Sequence, residues 1–168
     1  MVRIDRLDSP IGTLTVAERD GRVCVLHFGG NMTAIRSALA RWYPDDAVEE
    51  RECSGIRAVL RRYFNGELGV LDGVEVDLNG TPFQKRVWTA LRSIPAGTTT
   101  SYGRLAGRVG YAAAVRAVGA ANGANPVAVI VPCHRVIGSN GSLTGYGGGL
   151  ERKRWLLAHE GVRSASLF

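Results

Sequence analysis

Between residues 72 and 81 the chain changes its hydrophobic period, and that change restricts what it can fold into. Upstream, "RIDRLDSPIGTLTVAERDGRVCVLHFG" alternates apolar and polar positions and breaks at Ser9-Pro10, Gly12 and Asp20-Gly21, a hairpin or meander signature. "MTAIRSALARWY" and "SGIRAVLRRYFNGE" follow with helical spacing; in the second, Ile56, Val59, Leu60, Tyr63 and Phe64 share a face behind Ser54 as N-cap. "GVEVDLNG" returns briefly to strand. Past the boundary, "TPFQ" spells a capping box, with Thr81 as N-cap, Pro82 at N1 and Gln84 reaching back from N3. Phe83, Val87, Trp88 and Leu91 make the apolar stripe of that helix, which "IPAG" ends. The remainder reads as helices and glycine-rich loops. An α/β domain over residues 1–77, followed by a mainly α-helical domain over 81–168, is the expected organisation, and 168 residues at 45% hydrophobic content supply its core.

Charge divides along the same line. Residues 1–80 carry 10 Lys and Arg against 13 Asp and Glu, whereas residues 81–168 carry 11 against 2, Glu151 and Glu160. Such asymmetry points to a polyanionic partner for the second half; the plainer alternative is a solvated basic face. The opening "MVRIDRLDSPIG" contains no apolar signal-peptide core, and no apolar stretch approaches the roughly 18 residues that span a membrane. The odd set of Cys24, Cys53 and Cys133 has no disulfide-framework spacing, so free thiols and a cytoplasmic setting are expected.

"SYGRLAGRVGYAAAVRAVGAANGANP" has helix-turn-helix spacing: Ser101 as N-cap, a short helix using Leu105 and Val109, a break at Gly110, and a second helix from about Ala112. In that second helix Val115 and Val118 read as inward and Arg116 as the single cation that projects. A smooth alanine-glycine helix suits either a tight helix contact or close approach to DNA, and one long cation suits the gap left when a base leaves the duplex.

"VIVPCHRVIGSNG" delivers one cysteine at the polar exit of an apolar, strand-like run. A packing cysteine belongs inside such a run; a nucleophile belongs at its exit. Pro132 stiffens the approach to Cys133. The thiol, with an ordinary pKa near ~8.5, is mostly protonated at neutral pH, and His134 can relay its proton away through a turn or a bridging water. A histidine base needs an orienting acceptor. Glu160 stands at the C-terminal end of the helix "ERKRWLLAHEG", where the macrodipole disfavours a carboxylate, and is the candidate partner of His134. Asn125 before Pro126 is a turn former at least. Tyr146 with Gly147, Gly148 and Gly149 makes either a flexible loop or a flat pocket for a planar ligand. Cys24 and His27, three apart on a strand, face opposite sheet surfaces and do not share a metal ion.

"PCHRVIGSNGSLTGYGGGLERKRWLLAHEG", the upstream "ANP", "TTTSYGRLAG" and "FQKRVWTALRSIPAGT" closely resemble the O6-alkylguanine-DNA alkyltransferases over residues 81–161, and "DSPIGTLTVA" looks like that family's opening strands. The resemblance implies a ribonuclease-H-like N-terminal domain and a winged-helix-like C-terminal domain docking in the minor groove of double-stranded DNA. Cys133 would accept the alkyl group, linked through water to His134 and on to Glu160. Asn125 would join recognition helix to active-site loop. Tyr102 would assist base rotation and protonation of the departing guanine, with Gly103 beside it at the DNA, and Arg116 would fill the vacated space. Val136, Tyr146, Gly147 and Gly148 would line the guanine pocket, and Ser139 would lie near the DNA backbone. Gly147 stands where some relatives carry serine. The implied reaction is direct-reversal repair of O6-alkylguanine, once per molecule, without metal or other cofactor, by a protein monomeric in solution. O4-methylthymine as a second substrate and clustering along DNA stay open.

Two other functions compete. A cysteine hydrolase using Cys133, His134 and Glu160 would need an oxyanion hole and would turn over steadily. A non-catalytic DNA-binding module would have no use for the cysteine in an intact "PCHR".

Overall fold

The structure, a computed structural model, describes residues 1–163; residues 164–168, the end of the expected second domain, lie outside the described residues. The chain divides into two compact units, Met1–Asn79 and the part from Gly80 onward.

In the first unit, β1 (Val2–Ser9), β2 (Gly12–Arg19) and β3 (Arg22–Phe28) form an antiparallel meander. Asp20 and Gly21 both take left-handed backbone (φ 50° and 77°), the geometry whose twist matches a two-residue hairpin. β4 (Val48–Glu50) adds parallel to β1, so the sheet order is β3-β2-β1-β4. One face buries Val2, Ile4, Ala17 and Val25 against Ile35 and Leu39 of α1 (Met32–Trp42). The helix α2 (Ser54–Phe64) buries Ile56, Leu60 and Tyr63.

Two local expectations are corrected here. The N-cap of α2 is Cys53 rather than Ser54, and its side chain makes no cap bond. Asp5 of β1 takes over that role: its carboxylate accepts the Cys53 N–H at 3.0 Å and holds Arg57 by two bonds, of 3.1 and 2.7 Å. A cap supplied from another element has no signal in the helix's own sequence. "GVEVDLNG" is not a strand but a single bridge, Val23 to Val76, made by Val23 N–H to the Glu75 carbonyl and Asp77 N–H to the Val23 carbonyl, and the next residue of β3, Cys24, is the extra residue of a β-bulge against β2.

The second unit opens with α3 (Pro82–Arg92), capped reciprocally by Thr81 and Gln84. Its Trp88 is buried and donates its ring N–H to the Ala121 carbonyl at 2.7 Å, which locks α3 to α5 (Val115–Gly123). α4 (Tyr102–Arg108) starts at the Ser101 cap and stops before Gly110, at φ 85°. α5 begins at Val115, not at about Ala112. Tyr111 N–H bonds the Ala106 carbonyl, Ala114 N–H bonds the Tyr111 carbonyl, and the Tyr111 ring meets Phe83 edge-on at 5.0 Å, so residues 111–114 are held in turns. That late start leaves Val115 40% exposed instead of inward, while Val118, Ala121 and Asn122 face the core. The two-residue strands β5 (Thr100–Ser101) and β6 (Val136–Ile137) pair in parallel. They bring the start of α4 beside the segment that carries Cys133. α6 (Leu150–His159) closes the unit, with Glu160 as C-cap and Gly161 left-handed beyond it. No helix among the described residues is long and apolar enough to cross a membrane.

Candidate active site

The apolar run before Cys133 is buried, yet it is not a strand. Asn125 ties it into a loop: its Nδ2 donates to the Val131 carbonyl at 2.7 Å, and its Oδ1 accepts from Val127 N–H at 3.0 Å. Between those ties Ile130 N–H bonds the Ala128 carbonyl across a single residue, Val129, whose φ is 70°. A buried β-branched residue in left-handed backbone carries strain of order ~1–3 kcal/mol. A second three-residue turn, Cys133 N–H to the Val131 carbonyl, pivots on Pro132 and sets Cys133 at the head of a short 3-10 turn spanning Cys133–Arg135. Cys133 thus sits on a stiff, strained approach, with 6% of its surface exposed.

His134 and Glu160 meet inside the unit. Both side chains are fully buried, and His134 Nε2 lies 2.7 Å from Glu160 Oε1. Arg135 embraces the same carboxylate, donating from Nε at 2.8 Å and from Nη2 at 2.9 Å, while its Nη1 donates to the Ile94 carbonyl at 2.6 Å. Burial alone would raise the Glu160 pKa, but His134 and Arg135 together hold it well below the usual carboxylate range. Burial, with the positive charges of Arg135 and Lys153, pushes His134 below its ordinary value against the pull of Glu160. The imidazole is therefore neutral. Because an ionised carboxylate only accepts, the ring proton is on Nε2, and Nδ1 keeps a lone pair. That Nδ1 is buried and has no hydrogen-bond partner among the described residues. A neutral imidazole, oriented by an anion and with its basic nitrogen unengaged, is built to receive a proton.

The thiol itself rests protonated. Burial pushes Cys133 up, opposed by a hydrogen bond from Asn125 and by the positive charge of Lys153. Cys24 and Cys53, also buried, are both pushed up to about 12 by desolvation and lie in the other unit.

The remaining candidates divide. Tyr102 is half-buried and its hydroxyl donates to the Thr144 carbonyl at a long 3.3 Å. Burial raises its pKa, so it remains a phenol. Gly103 and Ser139 are exposed, and Arg116, Ala117 and Ala120 form an exposed small-residue face around one cation on α5. Val136 is fully buried in β6. Gly147 is exposed with open space where a side chain would stand, whereas the Gly148 carbonyl accepts from Arg152 at 3.0 Å. Tyr146 is half-buried in the same loop.

Three participants escaped the sequence reading. Arg135 shares Glu160 with His134, and Asn122 reaches the Cys133 carbonyl at 3.4 Å from the buried face of α5. Lys153 is completely buried, its Nζ donating to the carbonyls of Val136 (2.6 Å), Thr144 (3.1 Å) and Gly145 (3.4 Å). Its signal was present: Lys153, Leu156, Leu157 and Glu160 follow i, i+3, i+4, i+7 spacing, which puts a cation and an anion at the two ends of one buried stripe.

Comparison with known proteins bears on both units. Residues 82–162 match the family model described as 6-O-methylguanine DNA methyltransferase, DNA binding domain, and residues 2–78 match that family's ribonuclease-like domain. The methylated-DNA–protein-cysteine methyltransferase of Salmonella typhimurium is 44% identical over 161 residues, 94% of each chain. That of Mycobacterium tuberculosis is 47% identical over 171 residues, 98% of this chain and 95% of its own. Among solved structures, the M. tuberculosis O6-methylguanine methyltransferase superposes with a TM-score of 0.80 at 45% identity, covering 99% and 98% of the two chains. The M. tuberculosis protein in complex with DNA gives 0.79 at 44% identity, covering 98% and 97%.

Proposed function

The chain belongs to the 6-O-methylguanine DNA methyltransferase family, and we propose that its Cys133 removes the alkyl group from O6-alkylguanine in duplex DNA, once per molecule. The observation that carries this reading is the unengaged, buried Nδ1 of His134 next to Cys133 in sequence, with its Nε2 held by Glu160. A guanine inside a duplex cannot reach the sulfur of a residue with 6% exposure, so the base leaves the stack. The exposed face of α5 formed by Ala117 and Ala120 fits a minor groove, and Arg116 projects from it into the space the base vacates. Gly103 and Ser139, both exposed, lie against the DNA backbone. Tyr146, Gly147 and Gly148 line the guanine pocket, with the buried Val136 backing them and backbone amides taking the place of a side-chain donor at Gly147.

The chemistry balances. His134 Nδ1 takes the thiol proton through a bridging water, and the sulfur attacks the alkyl carbon. The C–O bond breaks, its electron pair passes to guanine, and a proton reaches the purine with help from the Tyr102 hydroxyl, which gives up its long bond to Thr144. The thioether product has no carbonyl for water to attack, so nothing regenerates the thiol. The protein acts as a monomer in the cytoplasm.

Titration of methylated duplex DNA against a fixed amount of protein is expected to plateau at one methyl per chain. Steady turnover would point instead to a hydrolase. Arg116→Ala is expected to slow transfer from duplex DNA about tenfold or more and to leave a single-stranded substrate nearly unaffected, since only the duplex has unstacking to offset. Equal effects on both substrates would remove Arg116 from that role.

A further inference from the structure

Lys153 stands apart from every other cation in the molecule. Of 21 Lys and Arg residues only two are lysines, Lys85 and Lys153, so the chain uses arginine almost everywhere and keeps a lysine at a position with no exposed surface. Arginine's planar fork suits paired oxygens, whereas an ammonium is a compact charge with three divergent donors. Here the three donors are fully used. Nζ holds the Val136 carbonyl on one side and the Thr144 and Gly145 carbonyls on the other, strapping the pocket loop to β6. The Tyr102 ring lies 6.0 Å from Nζ, on the margin of a cation–π contact.

Carbonyls do not cancel the charge. Among the described residues Lys153 has no carboxylate partner; the one buried acid of the unit, Glu160, is occupied by His134 and Arg135. A buried ammonium without a counter-ion is costly and persists where it has work to do. Burial pulls Lys153 down to about 8, so it stays largely protonated at neutral pH. The neighbouring groups that feel its charge are Cys133, which it pulls down, and His134, which it also pulls down. Geometry ties the two together: Nζ bonds the Val136 carbonyl, and the Val136 N–H bonds the Cys133 carbonyl, so the ammonium is fastened to the short turn that carries the sulfur.

We propose that Lys153 is a positioning residue of the transfer site, whose buried charge is the counter-ion under which the Cys133 sulfur ionises. Its donors are spent on the three carbonyls, so it acts on sulfur through space rather than by a hydrogen bond. The same charge adds to the burial and the Arg135 charge that hold His134 neutral and hence able to take the proton. The inference rests on Cys133 being the acceptor, and the two stand or fall by different measurements.

With two lysines in the chain, lysine-labelled ¹⁵N NMR gives two side-chain ammonium signals, of which Lys85, exposed, is the internal reference. Full-length protein is titrated before and after quantitative methylation by O6-methylguanine DNA. The thioether cannot ionise, so the part of the Lys153 titration coupled to Cys133 ionisation on the alkaline side is expected to vanish on methylation, with Lys85 unmoved. In Lys153→Met, the ultraviolet thiolate signal of Cys133 is expected to titrate about one unit higher. Single-turnover transfer at saturating DNA is expected to slow roughly tenfold, while affinity for unmodified DNA holds. A Lys153 titration curve whose alkaline limb is unchanged by methylation overturns the proposal, using wild-type protein alone. So does a Met variant whose thiol titration and transfer rate match wild type. Whether Cys133 receives the methyl group is read separately, from the mapped peptide, so loss of that reading is distinguishable.

Discussion

Cys133→Ser is expected to abolish alkyl transfer while leaving DNA binding intact. Incubated with an oligonucleotide carrying O6-methylguanine, wild-type protein gains about 14 Da on the peptide containing Cys133, the mass of a methyl replacing a thiol hydrogen; the serine variant gains nothing. The reasoning is about acidity and alternatives. A hydroxyl ionises far less readily than a thiol, and at a site where burial already pushes even the thiol up, no useful alkoxide forms. The molecule offers no substitute acceptor. Cys24 and Cys53 are buried and pushed up to about 12, with Cys24 in the core from β3 and Cys53 at the head of α2. Oxygen is smaller than sulfur, so the 3-10 turn and its Asn125 ties accommodate the change, and binding of unmodified duplex DNA reports that the α5 face is preserved. Methyl transfer by Cys133→Ser at the wild-type rate would overturn the assignment of the acceptor.

How far the site was legible beforehand depends on where each signal was stored. The capping box at Thr81 and Gln84, the Gly110 break and the Gly161 stop are local devices, and local sequence states them completely. Glu160 was legible for a different reason: a carboxylate at the unfavourable end of a helix asks for a partner, and the structure supplies His134 at 2.7 Å. The second partner, Arg135, was hidden because bidentate sharing of one carboxylate is decided by three-dimensional packing, not spacing. The run before Cys133 reads as strand-like in sequence because short apolar stretches do not distinguish a buried strand from a buried loop by periodicity. What breaks the strand is the side chain of Asn125, bonded to Val131 and Val127, and the left-handed Val129, which no propensity favours. Lys153 carries little signal of its own because a lysine is expected outside; only its register with Leu156, Leu157 and Glu160 says otherwise.

Glu160→Gln tests the relay and the stability of the unit together, because one carboxylate serves both. The amide keeps the size but removes the charge, leaving the Arg135 guanidinium, 4% exposed, without its anion. Breaking a buried pair from one side costs ~3–5 kcal/mol, so the denaturant midpoint of the second unit is expected to fall substantially. The pH dependence has a definite sign. Glu160 is depressed in the folded state, so its contribution is present above the unfolded carboxylate value near ~4.3 and is lost as pH falls through the folded value. His134 is also depressed, so acid begins to destabilise the fold once pH drops below the unfolded histidine value near ~6.5, before Glu160 titrates. The glutamine variant is expected to lose the lower of these two steps and keep the upper. Measured where the variant remains folded, methyl transfer is expected to slow ~10²–10⁴-fold, the worth of a positioned general base, since an amide no longer forces the ring proton onto Nε2. Glu160→Asp, which retains the charge one methylene short, is expected to recover stability more than rate. A glutamine variant that transfers at the wild-type rate would leave His134 without a proton-accepting role and reduce Glu160 to a structural anchor for Arg135.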